Sequence, residues 1–441
     1  MPRLAPIAIL MGMLLAAACG GAPTFSADQA GTAIAETVAA KSPPTDTAVP
    51  VETAAATPTT APTSAPPTLR IAYTDGGNVA ALSGAGPSTL LTTSGFVESI
   101  RLSDDGLKIA YTRRPVLDGP VELRVVNADG SGDSPLMSPA DFDALYPLGG
   151  AVHHDLYQFD FLPGSHVLLL NTRSIFEGPG LATHDDLIRI DTDSLARTML
   201  LAPGAGGDFT PSPDGRFLAI ARPDTVEIRG ADGSPSGSGV IGYAPVITYS
   251  EYAYYAQPVW SPDSTAIAVA IPSPDPFAPA LTGSIWRMPV GGAASLVGTI
   301  SGQFFFFGTG SEPLVAPDLA RVAFTRATTA PNIVTLNIAA PDGTGEVLVA
   351  TGDLTWAGWA PDASHFAFSL GSPMSLYLGD VSGASFPLIT GTDLRWFAPS
   401  EFLFLSGSAG AWTLHRGGIG LPATPLVSPA GDFIAYDFAY P

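Results

Sequence analysis

Two histidine-carboxylate groupings are the nearest the chain comes to a metal or acid-base donor set: His153-His154-Asp155 and His184-Asp185-Asp186. Imidazole and carboxylate are competent ligands for divalent metals. Neighbouring residues on a strand point to opposite faces, however, and no dedicated spacing such as HExxH is present, so no metal is expected. A second grouping is cationic. Arg113, Arg222 and Arg326 each stand nine residues after a recurring Pro position (an Asp in the first case), and Arg173 stands ten after its own. Guanidinium forks bind carboxylates and phosphates in a bidentate manner, so a ring of these four describes an anion-reading rim. Pairing with neighbouring Asp or Glu is the alternative. A third grouping is aromatic: Tyr249, Tyr252, Tyr254 and Tyr255, with Phe304, Phe305, Phe306 and Phe307. Aromatic faces stack on sugars and anchor protein interfaces; packing inside the fold is the competing reading.

Nucleophile and cofactor signatures are missing. The chain has no GxSxG, P-loop, CxxC pair or glycine fingerprint opening a helix. No cofactor is expected. Its single cysteine, Cys19, follows MPRLAPIAILMGMLLAAA, an order of positive charge, short apolar run and small residues that is the pattern of an export signal. The segment LLAAAC resembles bacterial lipoprotein signals, in which the cysteine becomes the acylated first residue. Ala16 stands where Leu is usual, and a plain secretory signal cut near Ala18 is the alternative. The resemblance implies residues 1–18 as signal, Cys19 as the lipidation site and a lipid anchor on the outer side of a bacterial membrane.

From 19 to 68 the chain is rich in Ala, Thr and Pro, as in TAAATPTTAPTSAPPT. Such a segment has too few large apolar groups to offset chain entropy, and reads as a disordered stalk. The remainder, 69–441, repeats one phrase: LSDDGLKIAYTR, FLPGSHVLLLNTR, PSPDGRFLAIAR, WSPDSTAIAVA, VAPDLARVAFTR, WAPDASHFAFS, FAPSEFLFLS and VSPAGDFIAYD. Asp104, Pro163, Pro213, Pro262, Pro317, Pro361, Pro399 and Pro429 mark the copies, and a period of roughly 30–60 residues indicates a propeller or solenoid. Pro presets a turn, Asp caps it and Gly accepts positive φ. The alternation that follows, as in IAYT and IAVA, is strand period. Ala110, Ala219, Ala268, Ala323, Ala367 and Ala435 take one position of that strand, where a small side chain lets adjacent sheets approach.

A third alternating segment and a short fourth follow several copies, giving four antiparallel strands per repeat. The fold class is therefore all-β, a single propeller of seven or eight four-stranded blades. The order of strand, Pro-Asp-Gly turn, strand and Asp-rich turn resembles TolB-like propeller repeats, relatives of WD repeats. That resemblance implies a fold, and the fold hosts unrelated activities. Segment 433–437 is expected to pair with 69–84 and close the ring. The long connections 146–158, 243–258 and 301–313 and the loops 173–186 and 272–283 are expected on one face.

Lys+Arg 19 against Asp+Glu 40 gives a formal charge of −21, which opposes nucleic acid as a partner. The combined reading is a cell-envelope lipoprotein whose non-catalytic propeller is a platform for an envelope protein or a glycan, with membrane contact through the lipid. Two alternatives stand beside it: an enzyme acting on glycans or peptides in the central channel, and a purely structural envelope protein. Convergence of His153, His154, His184 and carboxylates would favour the enzyme.

Overall fold

The computed structural model describes residues 67–441, apart from 117–118, 178–182, 249–251, 305–311 and 372–374. The signal, Cys19 and the stalk as far as residue 66 lie outside the described residues, as do Tyr249 and Phe305–Phe307. Ala65–Pro441 forms one compact unit. Within it eight antiparallel sheets follow one another as propeller blades, seven of four strands and one of three.

The first blade joins the two ends of the chain. Its second strand, Arg70–Asp75, pairs on one side with Asn78–Ser83 and on the other with the C-terminal strand Tyr436–Ala439, through Arg70↔Ala439, Ile71↔Phe438, Ala72↔Asp437 and Tyr73↔Tyr436. The expected closure is present, and the blade number is eight. The eighth copy of the phrase, however, is not a hairpin. Its Val427 ends the outer strand of the eighth blade, and residues 428–435 then cross to the innermost strand of the first. The hairpin's second strand, RIAYTD, lies at the other end of the chain. The sixth small residue is accordingly Ala72, fully buried like Ala110, Ala219, Ala323 and Ala367, rather than Ala435.

In the other blades the innermost strand descends to the repeated turn. These strands are Val97–Leu102, His153–Phe161, Asp208–Pro211, Val259–Trp260, Leu354–Trp359 and Thr392–Ala398. In the sixth blade two isolated bridges to the second strand, Gln303↔Thr325 and Val315↔Val322, stand in this place among the described residues. In the second, fourth and fifth blades the turn is stitched by an Asp and the Ser two residues before it. Ser212 Oγ donates to Asp214 Oδ1 at 2.6 Å, which also accepts the Arg216 N–H at 3.1 Å, while the Phe217 N–H returns to Ser212 Oγ at 3.0 Å. These hydroxyl and N–H donors hold the Asp214 and Asp263 carboxyls below their ordinary range against the opposing effect of partial burial. Gly215 supplies φ +69° at the tight position; Ser264 and Ala363 adopt 60° there at some strain.

Strand alternation puts the first-to-second turns on one face, here the turn face, and the second-to-third loops and blade-to-blade connections on the other, the loop face. The long segments share the loop face as expected. One boundary differs: residues 153–158 belong to the innermost strand of the third blade, not to a connection.

Because Ala219 is buried between sheets, Ala219→Leu should overpack the junction and destabilise the fold by about 1–3 kcal/mol, measured as a lowered denaturant midpoint with an unchanged m value. An unchanged midpoint would show that the junction has slack.

Candidate functional site at the loop face and axial channel

The four rim arginines occupy the loop-face ends of second strands, and three are held by carboxylates. Arg222 Nη1 donates to Glu227 Oε1 at 2.7 Å and to the Ala205 carbonyl at 3.1 Å. Arg326 clasps Glu346, with Nη2 to Oε2 at 2.9 Å, and lies over the Phe324 ring. Arg113 donates to the Ser94 carbonyl at 3.1 Å and lies 3.4 Å from Glu122, its cross-strand partner. Arg173 differs. Its nearest carboxylate oxygen, Asp155 Oδ2, is 3.8 Å away and is already held by Arg114 Nη2 at 3.0 Å. The Arg173 side chain is 38% exposed, and its Nε is buried without a partner.

A β-bulge explains what stands beside it. Leu156 pairs with Thr172 and Gln158 with Asn171, so Tyr157 is the extra residue between them. Bulges re-aim a side chain and occur often beside functional sites. Tyr157 is 45% exposed on an innermost strand, and the Arg173 guanidinium lies 5.7 Å from its ring centroid. His184 is sandwiched between Tyr157 at 3.7 Å and Tyr255 at 3.8 Å. Its Nε2 lies 2.8 Å from Asp208 Oδ1 without the alignment of a hydrogen bond. Burial, with Asp208 reinforcing and Arg173 opposing, pushes the Tyr157 hydroxyl up to about 12.

The other expected residues are placed as follows. His154 is buried, Nε2 3.2 Å from the Tyr146 carbonyl and Nδ1 3.1 Å from Ser174 Oγ; His153 is half-buried beside it. These contacts and the His184 sandwich occupy separate surroundings, and no group of three potential metal ligands assembles among the described residues. Tyr254 is held in the interior with its hydroxyl toward the Ala270 carbonyl at 3.3 Å, and burial raises its pKa strongly. Phe304 is buried, stacked on Phe324 at 5.5 Å between ring centroids. Tyr252 falls in the two-residue strand Tyr252–Ala253. The loop face also exposes apolar side chains at Phe96, Val116, Phe176, Phe277 and Phe433.

Sequence reasoning missed the charges on the channel wall. Arg101 and Asp160 stand three residues before Asp104 and Pro163, the positions at which Val259 and Gly358 also face the channel cavity; that offset was the available signal. Arg395 donates to both oxygens of Asp393 at 3.0 and 3.3 Å and to the Tyr436 carbonyl at 2.8 Å. Asp437 Oδ2 accepts the Leu102 N–H at 2.7 Å. Burial pushes the Asp160 carboxyl up to about 6, with Arg101 opposing and Asp437 reinforcing. Burial likewise raises Glu312 and Asp437.

No protein-family model matches the chain, and no curated protein matches it. Among solved structures the chain is similar to a eukaryotic initiation factor, with 12% identity over 84% of this chain and 98% of that one, at a TM-score of 0.48. It is also similar to the β-propeller domain of the Trilobed protease from Pyrococcus furiosus, with 12% identity over 76% of this chain and 98% of that one, TM-score 0.43. Porphyromonas gingivalis dipeptidyl peptidase 4 is a third, 14% identical over 76% of this chain and 53% of that one, TM-score 0.45. The chain thus spans about half of that peptidase. At such scores the fold rests on the strand order itself, and no activity is carried across.

The raised carboxyl of Asp160 has a signed consequence. A folded pKa above the unfolded one stabilises the fold fully below about 4, and that contribution is lost as pH rises through about 6. Asp160→Asn should therefore gain stability relative to wild type between pH 4 and 7, read as a growing difference in melting temperature. A difference constant across that range would show that Asp160 titrates normally.

Proposed function

We propose that the protein is a lipid-anchored component of a bacterial cell envelope, with TolB-like repeats forming a non-catalytic platform for an envelope protein or a glycan. The observation that carries this reading is the loop-face site at Tyr157, His184 and Arg173. Three rim arginines have their charge met by carboxylates close at hand. Arg173 has spare donors beside a half-exposed tyrosine that a bulge turns out of the strand pairing. A half-exposed aromatic ring and a guanidinium only loosely paired, 3.8 Å from Asp155, are the combination that binding surfaces use as an anchor. Exposed apolar residues on the same face add area around it.

The anchor half of the proposal rests on Cys19 and its upstream sequence.

Two measurements test the two halves separately. Intact-mass analysis of membrane-extracted protein should show diacylglycerol-type lipid on the wild type and none on Cys19→Ala; an unlipidated wild type would leave only the secretory reading. In-cell crosslinking should capture an envelope protein or glycan that is lost from Arg173→Ala/Tyr157→Ala but retained by Arg222→Ala, whose partner is internal. Identical capture by wild type and the double variant, with unchanged thermal stability, would remove the site from the platform.

A further inference from the structure

The axis of the ring holds a cavity of about 460 Å³, within the range of roughly 300–1,000 Å³ typical of small-molecule sites. Arg101, Glu312, Trp359, Arg395, Asp437 and Phe438 line it, and it reaches Pro317 and Pro361 of the turn face. It is thus at the opposite end of the fold from Arg173, and its role is independent of the loop-face platform.

Its charges are unevenly committed. Arg395 is spent: Asp393 and the Tyr436 carbonyl take its donors, and its plane lies 4.7 Å from the Tyr436 ring centroid. Arg101 is not spent. One nitrogen reaches the Ile100 carbonyl at 2.9 Å and the group lies 5.6 Å from the Phe159 centroid, with no ion pair among the described residues. On the acidic side, Asp437 accepts backbone N–H groups of Leu102, through Oδ2 at 2.7 Å, and of Phe438, and has no ion pair among the described residues. Glu312 has no hydrogen bond or ion pair among the described residues. Carboxylate is therefore in excess over free guanidinium, beside the aromatic walls of Trp359, Trp396 and Phe438.

We propose that this cavity binds a saccharide unit carrying a free ammonium group, a hexosamine. Each part of such a ligand has a counterpart. The ammonium group meets Glu312 and Asp437 in charge-assisted hydrogen bonds, a ring hydroxyl accepts from Arg101, and the apolar face of the sugar ring covers indole or phenyl carbon. A neutral sugar leaves the excess carboxylate unmatched, a uronic acid is repelled by it, and a simple diamine leaves Arg101 facing another cation. The raised carboxyls of Glu312 and Asp437 fit an empty cation position, since an arriving ammonium would lower both and release protons.

Isothermal titration calorimetry on the full-length chain at pH 6, in two buffers of different ionisation enthalpy, tests this with glucosamine, N-acetylglucosamine and putrescine. Glucosamine should bind with net proton release. N-acetylglucosamine and putrescine should each bind at least about tenfold more weakly. Glu312→Gln, which removes the charge and keeps the shape, should weaken glucosamine by a similar factor without lowering the melting temperature or altering capture of the loop-face partner. Equal binding of glucosamine and N-acetylglucosamine would overturn the ammonium assignment, and putrescine binding as tightly as glucosamine would overturn the saccharide. Absence of heat with all three would overturn the site.

Discussion

A propeller blade leaves one edge of its innermost strand unpaired, facing the axis and the next blade, and the molecule depends on how those edges are satisfied. Side chains reach across instead of backbones. Gln158 of the third blade both donates to the Phe209 carbonyl at 2.8 Å and accepts the Phe209 N–H at 3.2 Å on the fourth. Trp260 Nε1 takes the Thr210 carbonyl at 2.9 Å, and Trp359 Nε1 takes that of Leu314 at 2.9 Å. Asp437 and Arg395 do the same on either side of the first blade. Unpaired strand edges invite intermolecular pairing; here each is given a partner that cannot propagate into a continuous sheet. The polar lining of the channel follows from this need, and the cavity chemistry is built from what bridging leaves over.

The charge of the chain has a similarly local origin. Asp214, Asp263 and Asp362 cap first-to-second turns, while Asp129, Asp232, Asp342 and Asp380 cap third-to-fourth turns with a Ser or Thr two residues on. Strand alternation gathers all of them on the turn face. The formal −21 is in good part a consequence of repeating a turn that needs an acceptor, and so it says less about partners than a charge of that size would in an unrepeated fold.

That repetition made the fold legible. Seven copies of one phrase dictated strand, turn and strand, and the small residue at Ala110, Ala219, Ala268, Ala323 and Ala367 marked the second strand in five blades. The eighth hairpin escaped because covalent order and spatial order part company there: its turn would lie between Ala439 and Arg70, which pair across the sheet but are far apart in sequence. At the site, the loop-face position of Arg113, Arg173, Arg222 and Arg326 was readable from spacing, whereas the difference between Arg173 and the rest depends on Arg114 occupying Asp155, a competition that no spacing encodes. Tyr157 falls in the span 146–158 that reads as a connection, because a bulge breaks the period that would assign it to a strand. The channel charges were hidden for a plainer reason: an innermost strand with one polar residue in several reads as an ordinary half-buried strand.

Attachment through Arg70–Asp75 has a mechanical consequence. Tension arriving from residues before Thr68 pulls along that strand, parallel to its neighbours Asn78–Ser83 and Tyr436–Ala439. Force in that direction loads the ladders on both sides in shear, all rungs together, and does not peel them one at a time. The seam that closes the ring is thus the seam that would bear such a load, in the geometry in which short strands resist best, and a propeller pulled from residue 68 would stay shut until the whole first blade slipped as a unit.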